Sequence, residues 1–323
     1  MDKELPPQNY ERINKKIREE FSKLVEESPE KLEKDLKFSW SNWGFGQEDL
    51  SVTANRLREA GIEYIELHGN KYGEDLGYDS SEVMEVLKNN GLKVSGICGM
   101  FYSDRDLSSD KGWVRQNAID YIKRNVELGK EHGAEYFLIV PGAVGRPDPI
   151  DEYEMDRSVD TLRRVADIFT KTGIKGVIEP IRSAEVSFCH TFEDAVDYIK
   201  RLNHPGVQGI NGDVYHMMQE ESNIGETIRK HGDRLINLHL ADSNRRALGS
   251  GMLDLDTVLM SLYLIGFNEG AKFVTAEPLG PGGNPYHAIC AKHDPKKLDK
   301  LVNETVDYFR SREKIIKKTI EKR

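Results

Sequence analysis

One pattern restricts the fold of this chain more than any other: between residues 36 and 316, short apolar runs alternate eight times with longer, charged amphipathic segments. The strand-like runs are Leu36–Trp40, Tyr64–Leu67, Val94–Cys98, Tyr136–Val140, Gly176–Glu179, Val207–Asp213, Leu235–Leu240 and Phe273–Ala276. Apolar residues at helical spacing follow each run, over 48–60, 80–90, 111–132, 151–172, 191–202, 222–231, 256–265 and 295–316. Four helices hand over to the next strand through a glycine, at Gly61, Gly91, Gly133 and Gly173. Glycine just past a helix end takes the left-handed turn that redirects the chain. Eight strand–helix units are the count of an α/β protein built as a (β/α)8 TIM barrel. A doubly wound sheet normally has fewer units, and the unequal unit lengths fit no repeat array. In such a barrel the chemistry sits at the C-terminal ends of the strands.

Residues 1–35 stand apart as an N-terminal helical extension to a catalytic domain spanning 36–323. Ile13, Ile17, Phe21 and Leu24 form its apolar stripe, and Ser28-Pro29 marks its end or the start of a second short helix. That stripe is expected to pack on the barrel or on a partner subunit, so a homo-oligomer is expected. The chain carries 46 Lys+Arg against 55 Asp+Glu, a net charge of −9. This balance argues against a protein that grips nucleic acid through its phosphates. No run approaches the ~18 apolar residues of a membrane span, and the N-terminus has no apolar signal core. Three scattered cysteines, Cys98, Cys189 and Cys290, fit a reducing cytoplasm.

Four late strands end in hard-metal ligands: Val177-Ile-Glu179-Pro, Asn211-Gly-Asp213-Val, Asn237-Leu-His239-Leu and Thr275-Ala-Glu277-Pro. They are separated by 34, 26 and 38 residues, about one strand–helix unit each. The barrel would bring Glu179, Asp213, His239 and Glu277 around one pocket. Three carboxylates and an imidazole suit Mn²⁺ best, with Mg²⁺ or Co²⁺ as alternatives, and suit a structural zinc site poorly. Without a cation, three crowded carboxylates would repel one another.

The quartet and its surroundings resemble the xylose isomerase-like TIM barrels, and most closely the ketose 3-epimerases of the tagatose/psicose type. The resemblance rests on Glu179-Pro-Ile-Arg-Ser-Ala-Glu185, Asp213-Val-Tyr-His216 and His239-Leu-Ala-Asp-Ser-Asn-Arg245, followed by Gly249-Ser-Gly251-Met-Leu-Asp254. It implies an isomerase or epimerase that removes a proton beside the carbonyl of a ketose or keto-sugar, the cation polarising that carbonyl and stabilising the enediolate. Glu179 and Glu277 would then be the catalytic pair as well as metal ligands, one on each face of the reacting carbon. Glu185, His216 and Arg245 would hold the sugar hydroxyls. Arginine suits that place because it stays charged beside a developing oxyanion.

The first half is less specific. Trp40, Trp43 and Phe45 follow the first strand and offer aromatic walls for a sugar, Trp40 being taken as the contact, while His68 closes the second strand within reach of a substrate. The long extension and the Gly/Pro-rich loop from Leu279 to Ala288 depart from a plain 3-epimerase. They keep open a lyase on the same scaffold, similar to an inosose dehydratase or to the catalytic subunit of a C-glycoside deglycosidase with its small accessory subunit. An abasic-site endonuclease shares the barrel, but the third strand here ends Ile97-Cys98-Gly99 without that family's histidine.

Overall fold

The computed structural model describes residues 6–69, 78–279 and 285–318. Helix α1 (Asn9–Glu27) leads through a short 3-10 turn into the barrel, whose successive units are β1 (Phe38–Ser41) and α2 (Leu50–Glu59), β2 (Tyr64–His68) and α3 (Ser80–Asn90), and β3 (Lys93–Cys98) and α4 (Gly112–Glu131). They continue with β4 (Tyr136–Ile139), α5 (Glu154–Arg163) and α6 (Asp167–Thr172), then β5 (Lys175–Ile178) and α7 (Phe192–Leu202). The last three units are β6 (Val207–Asp213) with α8 (Val214–Glu220) and α9 (Ile224–His231), β7 (Leu235–Leu240) with α10 (Leu255–Leu264), and β8 (Phe273–Ala276) with α11 (Pro285–Cys290) and α12 (Pro295–Lys318). The eight strands are parallel and pair in sequence order, β8 closing on β1.

The four handover glycines all take positive φ, 68° at Gly91 and 80° at Gly173. Two expectations change. The helix over 151–172 breaks between α5 and α6, where Val165 and Phe169 bond three residues back instead of four. No proline or glycine marks that break, so the sequence gives no warning of it. The segment after β6 also holds one more helix than expected. Asp213 caps α8 by accepting the Tyr215 N–H at 2.8 Å, which places His216 one turn away from the carboxylate.

The extension belongs to the same body. Its apolar stripe buries Ile17, Phe21 and Val25 against α9 and α10, and Arg18 and Asn14 both bond the Asp254 carboxylate that caps α10. Gly225 of α9 receives Ile17 so closely that a Cβ there would lie 2.7 Å from the Ile17 Cδ1. Since its own barrel covers this stripe, α1 loses the apolar face expected to drive self-association. No helix among the described residues is long and apolar enough to cross a membrane. Phe21 is 2% exposed and meets Tyr263 at 6.3 Å between ring centroids, so Phe21→Ala should cost about 3–5 kcal/mol, read as a lower urea midpoint with an unchanged slope.

Candidate active site

The strand pleat aims alternate side chains into the barrel. On β6 and β7 the inward pairs are Asn211 opposite Asn237 and, one row higher, Asp213 opposite His239. Glu179 and Glu277 follow β5 and β8 at the same end. All four predicted ligands are 6% exposed or less, and the structure brings them together. One oxygen of Glu179, one of Asp213 and a His239 nitrogen lie within 4.8 Å of one another. His239 Nδ1 is 3.5 Å from Glu179 Oε1 and 3.2 Å from Glu277 Oε1.

A column of hydrogen bonds fixes these groups from below. Thr275 Oγ1 donates to Asn237 Oδ1 at 2.7 Å, Asn237 Nδ2 to Asn211 Oδ1 at 2.7 Å, and Asn211 Nδ2 to Glu179 Oε1 at 2.8 Å. Glu66 on β2 accepts from the Tyr136 hydroxyl at 2.6 Å and takes His239 Nε2 between its two oxygens at 3.0 and 3.1 Å. With Nε2 as the donor to Glu66, Nδ1 is the nitrogen that faces the acids. The Tyr136 ring crosses the barrel over Gly96, where a Cβ would come within 2.3 Å of it. In the sequence, Glu66 and His68 both stand at the end of the second strand, but only His68 suggests a contact. The available signal was an acid two residues inside the strand end, on the same face of the pleat.

The electrostatics favour a cation. Asp213 is pushed up to about 7, first by burial and then by Glu277, against the pull of Arg245. Burial also raises Glu179. At Glu277 burial pushes upward too, but His239, Arg245 and the Trp43 N–H outweigh it and the net direction is down. Burial works against a charge on His239, yet Glu277 and Glu66 hold its pKa well above the ordinary value. Asp213 Oδ2 lies 3.3 Å from His216 Nε2 without hydrogen-bond geometry and is a buried acceptor with no donor. A buried oxygen left so, beside two more carboxylates and an imidazole nitrogen, is the donor set of a hard or borderline divalent ion, and the residues fit one.

Of the predicted substrate contacts, three reach the pocket. Glu185, His216 and Arg245 line one pocket with Glu179, Glu277 and Trp43. Arg245 stands 3.8 Å from Glu185, 3.8 Å from Asp213 and 3.9 Å from Glu277, its guanidinium 4.5 Å from the Tyr215 ring centroid. Trp40 does not reach it. On β1 Ser39 points inward to Ser95 at 2.7 Å, so the neighbouring Trp40 faces the helix layer, fully buried and stacked on Phe45. Trp43, three residues on, takes the place expected of Trp40 and donates Nε1–H to Glu277 Oε1 at 2.5 Å. His68 lines a separate cavity with Asn42 and Tyr78. Residues 280–284 of the Gly/Pro-rich loop after β8 lie outside the described residues.

Two predictions follow from this geometry. Glu66→Gln should weaken divalent-ion affinity about 10–100-fold with little loss of fold, measured by isothermal titration with Mn²⁺. Ion binding should also release protons, because Asp213 must be ionised to ligate. Affinity for Mn²⁺ should therefore fall as pH drops below about 7, and titrations in buffers of different ionisation enthalpy count the protons.

Residues 54–296 match the family described as xylose isomerase-like TIM barrel. A ketose 3-epimerase of Arthrobacter globiformis is 29% identical over 232 residues, covering 71% of this chain and 78% of its own. The 3-dehydro-D-guloside 4-epimerase of Escherichia coli K12 is 28% identical over 243 residues, 70% of this chain and 87% of its own. The crystal structure of D-psicose 3-epimerase with D-tagatose from Clostridium cellulolyticum H10 superposes with a TM-score of 0.74 at 22% identity, covering 85% of this chain and 99% of that one. The relatives it matches include sugar epimerases and inosose isomerases, and the chain belongs to the xylose isomerase-like TIM barrel family.

Proposed function

We propose that this sugar isomerase/epimerase inverts a hydroxyl-bearing carbon beside the carbonyl of a ketose or keto-sugar, with Glu179 and Glu277 as its two bases and Glu179, Asp213, His239 and Glu277 as the ligands of a Mn²⁺ ion. One observation carries the reading: two buried carboxylates from β5 and β8 flank the same His239 nitrogen, each with Oε1 held by a neutral N–H donor, Asn211 for one and Trp43 for the other. A divalent cation held by the quartet supplies Lewis-acid polarisation of the substrate carbonyl. Glu277, held ionised by His239 and Arg245, takes the proton from one face of the carbon. Glu179, whose proton burial favours, returns one to the other face, and the roles exchange in the reverse direction. His216 and Arg245 position the oxygens next to the carbonyl, and Glu185 orients a neighbouring hydroxyl. Two bases on two faces are what inversion requires, whereas an aldose–ketose shift can run on one.

Elimination needs an acid beside a leaving group. Among the described residues, the pocket wall from β3 and β4 is Cys98, Gly99, Met100, Phe101, Tyr102, Val140 and Val144, with no carboxylate to serve. That wall favours reprotonation over a lyase. We keep residues 1–35 as an extension to a single catalytic domain, 36–323. A cytoplasmic location is the reading that suits the free thiols of Cys98, Cys189 and Cys290, and a homo-oligomer would have to form through a face other than the stripe of α1.

Incubation in D₂O with Mn²⁺ and a panel of D-psicose, D-tagatose, D-fructose and keto-glycosides tests this, followed by NMR. Deuterium should enter at the carbon beside the carbonyl with a new epimer and no lost fragment. Glu179→Gln and Glu277→Gln should each lower epimerisation about 10²–10⁴-fold, and release of water or an aglycone from wild type would overturn the reading.

A further inference from the structure

The Gly249-Ser-Gly251-Met-Leu-Asp254 segment has no role so far, and the structure gives it one. It wraps the carboxylate of Asp242, the third residue after His239. Asp242 is 2% exposed and forms no ion pair within 4.0 Å among the described residues. Three backbone N–H groups satisfy it instead: Ser243 and Leu253 donate to Oδ1 at 2.7 and 3.1 Å, and Gly249 donates to Oδ2 at 2.7 Å. The glycines permit the wrap. Gly249 sits at φ 85°, and a Cβ on Gly251 would lie 2.3 Å from Asp242 Oδ1.

Inside that wrap, Arg245 occupies a conformation a side-chain-bearing residue rarely takes. Its φ is 57°, in the left-handed region that is sterically unfavourable for a residue with a Cβ. The turn holding it there starts at Asp242, whose carbonyl accepts the Arg245 N–H at 2.7 Å and whose N–H donates to the Arg246 carbonyl at 3.2 Å. From this backbone the guanidinium lands 5% exposed on the Tyr215 ring, with its Nε unbonded. We propose that Asp242 is a positioning residue for Arg245: its carboxylate gathers residues 243–253 and fixes the left-handed turn that delivers the guanidinium to the pocket. A carboxylate is required because both oxygens accept, and an amide would set a donor against one of these N–H groups.

The proposal rests on the reading that Arg245 binds the substrate, and the test separates the two. Wild type, Asp242→Asn, Arg245→Ala and the double variant are compared with Mn²⁺ and D-psicose or D-tagatose. Asp242→Asn should lower kcat/KM at least tenfold, leave Mn²⁺ affinity within twofold, and cause no further loss in the Arg245→Ala background. Multiplying losses, or a matching fall in Mn²⁺ affinity, would overturn it in favour of a general structural role. If Arg245→Ala leaves kcat/KM unchanged, or no ketose turns over, the substrate reading fails on its own. Phenylglyoxal labelling of Arg245, followed by peptide mass spectrometry, then decides the positioning. The rate should rise at least tenfold in Asp242→Asn, and an unchanged rate refutes the proposal. Should Asp242→Asn not fold, Gly251→Ala presses on the same carboxylate from outside and should give the same pattern in both assays.

Discussion

The interior of this barrel holds charge where such barrels ordinarily stack apolar layers, and the rest of the structure is arranged around that fact. Glu66, Glu179, Asp213, His239 and Glu277 are all at most 6% exposed. Leaving one buried carboxylate without its partner costs about 3–5 kcal/mol. The amides of Asn211 and Asn237 answer this by linking Thr275 at the base to Glu179 at the mouth. Strand register makes the column possible. Asn211 and Asn237 share one row and Asp213 and His239 the next, so every link spans neighbouring strands. A one-residue slip of either strand would send these side chains into the helix layer.

The loops above obey a second constraint. Arg146, after β4, bonds Asp106 and Ser108 from the loop after β3, Glu154 at the start of α5, and Ser187 from the loop after β5. Its own N–H and that of Gly145 meanwhile hold the Glu185 carbonyl at 3.1 and 2.9 Å. Three loops thus act as one wall, and Glu185 is fixed by its backbone before its side chain meets Arg182 at 2.6 Å. Loops that converge on a site move less when their own polar groups are spent on one another.

The sequence displayed the barrel because each strand's apolar run is a local property. Val207–Asp213, Leu235–Leu240 and Phe273–Ala276 appear with the bounds expected of them. That Glu179, Asp213, His239 and Glu277 would converge was legible for the same reason, since each stands at or beside the end of such a run. What could not be read is which face a side chain takes near an irregular strand end. Trp40 and Trp43 are three residues apart and both aromatic, but only the position of Ser39 in the pleat shows that Trp40 faces the helices. Glu66 was hidden differently: its partners Tyr136 and His239 stand 70 and 173 residues away, and no local spacing records them. The break between α5 and α6 leaves no trace for a third reason: Val165 and Ala166 there are buried like any helix core residues, and no turn residue marks it.

The pocket is chemically two-sided, and this bears on how it reads a substrate. Strands β5 to β8 bring acids, imidazoles and a guanidinium to it, the groups that in the proposed reaction would hold the carbonyl and the oxygens beside it. The wall from β3 and β4 is mostly apolar, with Met100, Phe101, Val140 and Val144 beside Cys98 and Tyr102. Polar sites that lose a partner hydroxyl discriminate steeply, whereas an apolar wall separates homologues by only about 1–3 kcal/mol per methylene. In the proposed reaction, selection would therefore concentrate at the reacting end of the sugar, where a wrong hydroxyl would leave Arg245, His216 and Glu185 unpaired. The far end would be sorted by shape. Such a site would hold the stereochemistry of the reacting carbons tightly while tolerating variation in the chain beyond them.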